Sequence, residues 1–167
     1  MAVTGLLGVI EPSRHWSTGL TMRGVSSTLQ KVSQIDYIVW RNDMPLSTGA
    51  AAAAFERDGF TFRPLAVPSR GSSELAVWSL ELAPGAASER HRMDREEVFV
   101  VVSGQIAASV GGEEVAAGPG DAIIVPADTE LLIRNACTVN PATATAVTSV
   151  GMKATVGGAT FSPPWAQ

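Results

Sequence analysis

The sequence predicts an all-β fold, an antiparallel sandwich or barrel, and three observations predict it. From Gly59 onward, short apolar runs rich in β-branched residues recur at roughly ten-residue spacing. Gly and Pro punctuate those runs, at Pro84-Gly85, Gly104, Gly111-Gly112, Gly118-Pro119-Gly120 and Pro126. The chain has 167 residues, of which 46% are hydrophobic and 17% charged, so it has enough apolar side chain to close one core. A disordered polyelectrolyte is excluded.

The elements follow in chain order. Residues 1–58 read as an N-terminal extension. Its stretch 11–34 is rich in Ser, Thr and Gly and lacks period. Ile35 to Trp40, with Tyr37, Ile38 and Val39, fits one extra strand on a sheet edge or on a dimer partner. Ala50 to Arg57 reads as a short helix, with Ser47 or Thr48 at its start and Asp58-Gly59 at its end. An alternative start lies at Met44, which makes residues 1–43 an upstream addition.

Residues 59–167 read as the barrel with a C-terminal anchoring segment. Phe60, Phe62 and Leu65 open it. Leu75 to Leu82 is a strand ended by Ala83-Pro84-Gly85. Val98 to Val102 is a continuous β-branched run of the kind found in buried strands, stopped at Ser103-Gly104. Gln105 to Val110 is a short strand, and Gly111-Gly112 after it reads as a tight hairpin turn that needs positive φ. Ala122 to Val125, Leu131 to Ile133 and Ala144 to Val150 complete the series. Phe161 and Pro163-Pro164-Trp165 read as the anchor, with Trp165 capping apolar surface.

Composition narrows the function. Net charge is −4, and the twelve Lys and Arg residues are scattered, so no stripe tracks a phosphate backbone or an anionic membrane. Neither nucleic acid nor membrane is expected as a partner. The apolar run Gly5 to Ile10 is too short for a signal-peptide core or a span, and a cytoplasmic protein is the default. One cysteine, Cys137, excludes an intramolecular disulfide and a Cys-based zinc site. Two histidines, His15 and His91, are too few for a three-histidine site within one chain.

The segment Gly85-x5-His91-x-Met93-x3-Glu97-x6-Gly104 resembles the first motif of the cupin superfamily, G-x5-H-x-H-x3-4-E-x6-G. Four of the five fixed positions match, and Met93 stands where the second histidine is usual. After 15 residues, Gly120-x5-Pro126-x-Asp128-x2-Leu131-x3-Asn135 is similar to the second motif, G-x5-P-x-G-x2-H-x3-N. Three of its five positions match; Asp128 replaces the glycine and Leu131 the histidine. The resemblance covers about residues 60–150. It implies a small single-domain, RmlC-like cupin: a double-stranded β-helix of jelly-roll type, assembled as a homodimer.

In metal-binding members the two histidines and the glutamate of the first motif, with the histidine of the second, hold one metal. Those four places are here His91, Met93, Glu97 and Leu131. A thioether suits Mn, Fe(II) or Zn poorly, and leucine is no ligand. A degenerate metal site with no tightly bound metal and no cofactor is therefore expected. Cys137 lies roughly 20 Å beyond Leu131 along an extended strand, too far to substitute. Glu130 faces away from Leu131 by parity. Arg134 is expected at the surface, and Arg63 is a candidate for the cavity.

Strand parity places His91, Met93, Glu97, Phe99 and Val101 inside, opposite Leu131, Ile133 and Asn135, with Trp78, Leu80 and Leu82 on one apolar face. A ligand pocket lined by Trp78, Met93, Phe99, Leu131, Ile133 and Asn135 follows, with His91 and Glu97 as its polar centre. The bland alternative is that Met93 and Leu131 simply fill the barrel. Three functions stay open. The first is a binder of a small, partly apolar organic molecule, with a metal-independent isomerase or cyclase using His91 and Glu97 as its enzymatic form. The second is a metal-dependent oxygenase, decarboxylase or isomerase. The third is a non-catalytic sensor or assembly module.

Overall fold

The computed structural model describes residues 46–167. The expected strand at Ile35–Trp40, His15, the alternative start at Met44 and the placement of most of the 1–58 extension lie outside those residues.

The described residues form two six-stranded sheets, and every pairing in them is antiparallel. The strands are numbered in chain order. The first sheet runs β1 (Phe55–Arg57), β2 (Phe60–Ala66), β3 (Leu75–Leu82), β10 (Ala142–Ser149), β5 (Glu97–Ser103) and β8 (Ala122–Val125). The second runs β12 (Ala159–Phe161), β11 (Ala154–Val156), β4 (His91–Met93), β9 (Leu131–Asn135), β6 (Ile106–Val110) and β7 (Glu113–Ala117). This is the jelly-roll barrel that the motifs imply.

The helix expected over Ala50–Arg57 is not formed. A single 3-10 turn occupies Gly49–Ala51, its N-cap Thr48 makes no side-chain cap bond, and the chain then extends into β1. A short alanine run has too few turns to offset helix nucleation, whereas pairing Phe55 with Phe62 starts a ladder at once. Arg70 ties the turn down, donating from Nε to Ser47 Oγ at 2.7 Å and from Nη2 to the Thr48 carbonyl at 2.7 Å. Asp58-Gly59, expected as a helix end, is instead the two-residue hairpin turn between β1 and β2, with φ of 52° and 81°. The sheet thus begins at Phe55, a few residues before the expected barrel boundary.

The period-2 patterns hold where the runs are β-branched. Along β3, Ala76, Trp78, Leu80 and Leu82 are buried and alternate with more exposed residues. Along β5, Glu97, Phe99 and Val101 face inward. Between these two strands lies β10, whose inward residues are the small Ala142, Ala144, Ala146 and Thr148. Rows such as Trp78–Ala146–Phe99–Ile123 therefore place large rings on both sides of a methyl. Each large buried side chain contributes about 2 kcal/mol.

Two turns show why the motif positions are restricted. Gly104 has φ of 75°, and a Cβ there would lie 2.8 Å from Ala142 Cα, so the β5–β6 turn needs glycine twice over. Asp128, which stands in for the motif glycine, has φ of 59°. Aspartate is among the few side-chain-bearing residues that adopt this left-handed conformation readily, so the turn keeps its shape without glycine.

Candidate functional site

A cavity of about 90 Å³ opens inside the barrel. β5 brings Glu97 and Phe99 to it, β3 brings Trp78 and Leu80, β4 brings His91 and β9 brings Ile133. Phe60 and Phe62 of β2, Phe161 of β12 and Trp165 of the C-terminal 3-10 turn close the other walls. The Trp165 ring stacks on Phe62 with centroids 3.8 Å apart and planes 13° apart. The exposed Arg57, Asp58 and Glu89 mark the mouth. Arg57 is held there by Asp58 at 3.1 Å and Glu89 at 3.4 Å.

Glu97 is 1% exposed, between Thr148 of β10 and Val125 of β8. Its Oε2 has no hydrogen-bond partner among the described residues. Burial pushes its carboxyl up to about 8, because no neighbouring charge compensates the lost hydration. His91 shifts the other way. Burial lowers its imidazole, and the Arg57 guanidinium adds to that; the hydrogen bond to the Glu89 carbonyl opposes it. That bond, 2.8 Å from Nδ1, fixes the proton on Nδ1 because a carbonyl can only accept. Nε2 is left with its lone pair. No hydrogen bond joins His91 to Glu97 among the described residues, so each is available to a third molecule between them. Near neutrality the pair is a neutral acid and a neutral base.

The expected pocket residues divide. Trp78, Phe99 and Ile133 line the cavity with His91 and Glu97. Met93 and Leu131 do not; they are 7% and 1% exposed and packed into the hydrophobic core. They fill their part of the barrel, as the bland alternative required, yet a cavity remains on the Trp78 side. Asn135 does not line it either. Its Nδ2 donates to the carbonyls of Leu82 and Ala83, both at 3.1 Å, and of Asn140 at 2.9 Å, and its Oδ1 accepts from the Cys137 N–H at 2.9 Å. These four bonds pin the loop after β9 to the end of β3. Arg63 is exposed and away from the cavity. Glu130 and Arg134 lie at the surface, paired with Arg90 at 2.9 Å and Glu114 at 3.6 Å. Cys137 sits in the loop after β9, its Sγ accepting from the Asn140 N–H at 3.4 Å.

Sequence reading missed four of the six aromatic residues in the wall. Phe60 and Phe62 had a usable signal, since residues two apart on a strand share a face. Phe161 and Trp165 carried none, because only the closed fold brings the C-terminal segment against β2. Three buried side-chain polar atoms lack a partner among the described residues: Glu97 Oε2, Trp78 Nε1 and Trp165 Nε1. All three residues line this one cavity.

The donor set can be tested against the metal that the motifs imply. At the four positions stand one imidazole, one carboxylate, one thioether and one alkyl group. Among the described residues no three His, Cys, Asp or Glu side chains converge to hold an ion. One imidazole and one carboxylate fall short of the three good donors such a site normally uses, so the residues do not fit that metal. No helix among the described residues is long and apolar enough to cross a membrane.

Residues 78–148 match the family model described as Cupin domain. Among solved structures, the fold is similar to the polyketide cyclase RemF from Streptomyces resistomycificus, at 18% identity and TM-score 0.57, over 65% of this chain and 81% of that one. It is similar to an RmlC-like cupin from Shewanella frigidimarina, at 19% identity and TM-score 0.55, over 64% and 91% of the two chains. A sugar phosphate isomerase of the cupin superfamily from Silicibacter pomeroyi aligns at 22% identity and TM-score 0.56, over 69% and 83%. A search of curated proteins finds no match.

Proposed function

With a cupin domain at residues 78–148 and the cupin fold around it as the premise, we propose that the cavity binds a small, partly apolar organic molecule without a tightly bound metal, and that His91 and Glu97 move protons on it. One observation carries this reading: a buried carboxyl with an unpartnered oxygen shares an aromatic cavity with an imidazole whose Nε2 is free. The chemistry suited to such a pair is enolisation. His91 Nε2 takes a proton from the carbon beside a carbonyl, and the Glu97 carboxyl gives its proton to the carbonyl oxygen. Returning the proton to a different carbon isomerises the molecule; attack of the enol carbon on a second carbonyl closes a ring. The likeness to a cyclase and to an isomerase is consistent with this class of reaction.

The test is hydrogen–deuterium exchange at the carbon beside the carbonyl of small ketones in D2O, followed by NMR with and without a chelator. Expected is exchange faster than buffer, unaffected by the chelator, and lost in both His91→Ala and Glu97→Gln. The rate falls on the acid side as His91 protonates and on the alkaline side near about 8 as Glu97 ionises. Exchange that survives His91→Ala overturns the acid–base role. Loss to the chelator with return on adding a divalent ion favours the metal-dependent reading. Ligand binding without exchange favours a sensor.

A homodimer belongs to the same proposal. Val100, Val102 and Ile124 leave apolar surface on the outer face of β5 and β8, being 38%, 59% and 59% exposed. Sedimentation equilibrium tests it, and a monomer at micromolar concentration overturns it.

A further inference from the structure

Aromatic side chains are concentrated in one place. The described residues include seven, and six of them (Phe60, Phe62, Trp78, Phe99, Phe161 and Trp165) line the cavity. Its ion-paired side chains stay at the mouth. The single cation among its described lining residues besides the imidazole is Arg57, already engaged by Asp58 and Glu89 at the mouth. A carboxylate or phosphate would enter past the two carboxylates of Asp58 and Glu89 and find no uncommitted cation inside among the described lining residues. The unpartnered groups complete the description. Two indole N–H groups are donors only, and a carboxyl that is 1% exposed has a free oxygen. Buried polar groups are normally satisfied, so three without partners on residues lining one cavity are groups that a ligand's polar atoms would satisfy, each after a small turn of its side chain because the atom itself is closed off from solvent.

We propose that this cavity selects an uncharged, single-ring aromatic molecule carrying an oxygen acceptor, the ring stacking among the aromatic walls and the oxygen taking a hydrogen bond from the indole N–H of Trp78 or Trp165. The inference rests on the cavity being the ligand site, as proposed above, and adds the class of ligand. Size sets the single ring. The cavity of about 90 Å³ is smaller than the roughly 150 Å³ of one that encloses benzene, so a single ring already reaches into the open mouth and a fused system would leave more of itself in water. Aromatic faces favour a flat ring over a saturated one of equal bulk.

Calorimetric titration of the full chain with four probes tests this: acetophenone, cyclohexyl methyl ketone, toluene and benzoate. Expected is the order acetophenone tightest, then the saturated ketone and toluene each at least about fivefold weaker, with benzoate weakest. Trp78→Phe keeps a ring in the wall and removes the N–H. Trp165→Phe does the same at the cavity edge, where a fold defect is less costly. One of the two weakens acetophenone about fivefold and leaves toluene within twofold. In the NMR spectrum the matching indole N–H signal moves downfield with acetophenone and not with toluene. Equal binding of acetophenone and its saturated analogue overturns the aromatic selection while leaving the cavity a ligand site. Tightest binding of benzoate overturns the exclusion of charge. Binding of none of the four overturns the inference outright, and the exchange experiment on other ketones then judges the acid–base reading separately.

Discussion

His91 and Leu131 are cross-strand partners, the one registered pair between β4 and β9. Directly opposite residues of an antiparallel pair point to the same face, so leucine stands beside the imidazole where the second motif has histidine. The vacancy in the ligand set is thus geometric as well as chemical. The double variant Met93→His/Leu131→His should bind a divalent ion more tightly than the native chain. Two buried imidazoles without metal cost about 2 kcal/mol or more each. The expected result is a lowered Tm that rises again on adding Zn or Mn, against a smaller metal response in the native chain. A variant that binds metal no better would show that the strands do not converge at these four positions.

Stability should depend on pH through Glu97. Its carboxyl lies at about 8 in the folded chain against 4.5 as a free group. The unfolded chain therefore loses that proton first. The contribution is fully present below about pH 4.5, declines as pH rises, and is lost above about 8. The size is on the order of a few kcal/mol. Glu97→Gln removes the decline, so its unfolding free energy should gain on the native chain between mildly acidic and mildly alkaline pH. Parallel curves for the two proteins would mean that Glu97 is not held neutral.

Asn135 predicts a separation of stability from binding. Asn135→Ala strands three carbonyls and one N–H at the end of β3. A loss of about 2–4 kcal/mol in urea unfolding is expected, with ligand affinity unchanged where the protein is folded. A drop in affinity matching the drop in stability would put Asn135 back among the pocket residues.

Gly104→Ala should destabilise by about 2 kcal/mol or more, since it forces a Cβ into Ala142 at a φ that side chains avoid. Gly112→Ala supplies the control, having positive φ but open space around it. Equal losses in the two variants would show that conformation alone, and not the contact with Ala142, restricts Gly104.

Much of the barrel was legible because burial and strand period write the same pattern. Leu75–Leu82 and Val98–Val102 could be read as strands, and the inward parity of Phe99, Leu131 and Ile133 follows from them. Strands held mainly by neighbours were not legible. Glu113–Ala117 is almost wholly exposed and pairs only through its hairpin with β6, and His91–Met93 is three residues long. The cavity lining was legible at His91, Glu97, Trp78, Phe99 and Ile133, where motif or parity spoke. It was not at Asn135, because parity says which way a side chain faces and nothing about whether a loop's carbonyls meet it there. Trp165 was read as an anchor, and it is one; that the surface it covers is a cavity wall depends on contacts across the whole chain.

The column of small residues on β10 has an evolutionary consequence. Ala144 and Ala146 lie in strand register between the large side chains of β3 and β5 and do not line the cavity themselves, so the room left to Trp78, Leu80 and Phe99, which do, is set by methyl groups. An alanine codon becomes a valine codon by one base change, and valine suits a strand better than alanine does. Each such step would add two carbon atoms beside those cavity-lining side chains and press them toward the chamber while leaving the backbone ladder intact. Lineages carrying this barrel can therefore retune what it admits by single mutations at positions that touch neither His91 nor Glu97 in register, and the size of the preferred guest is free to drift faster than the chemistry.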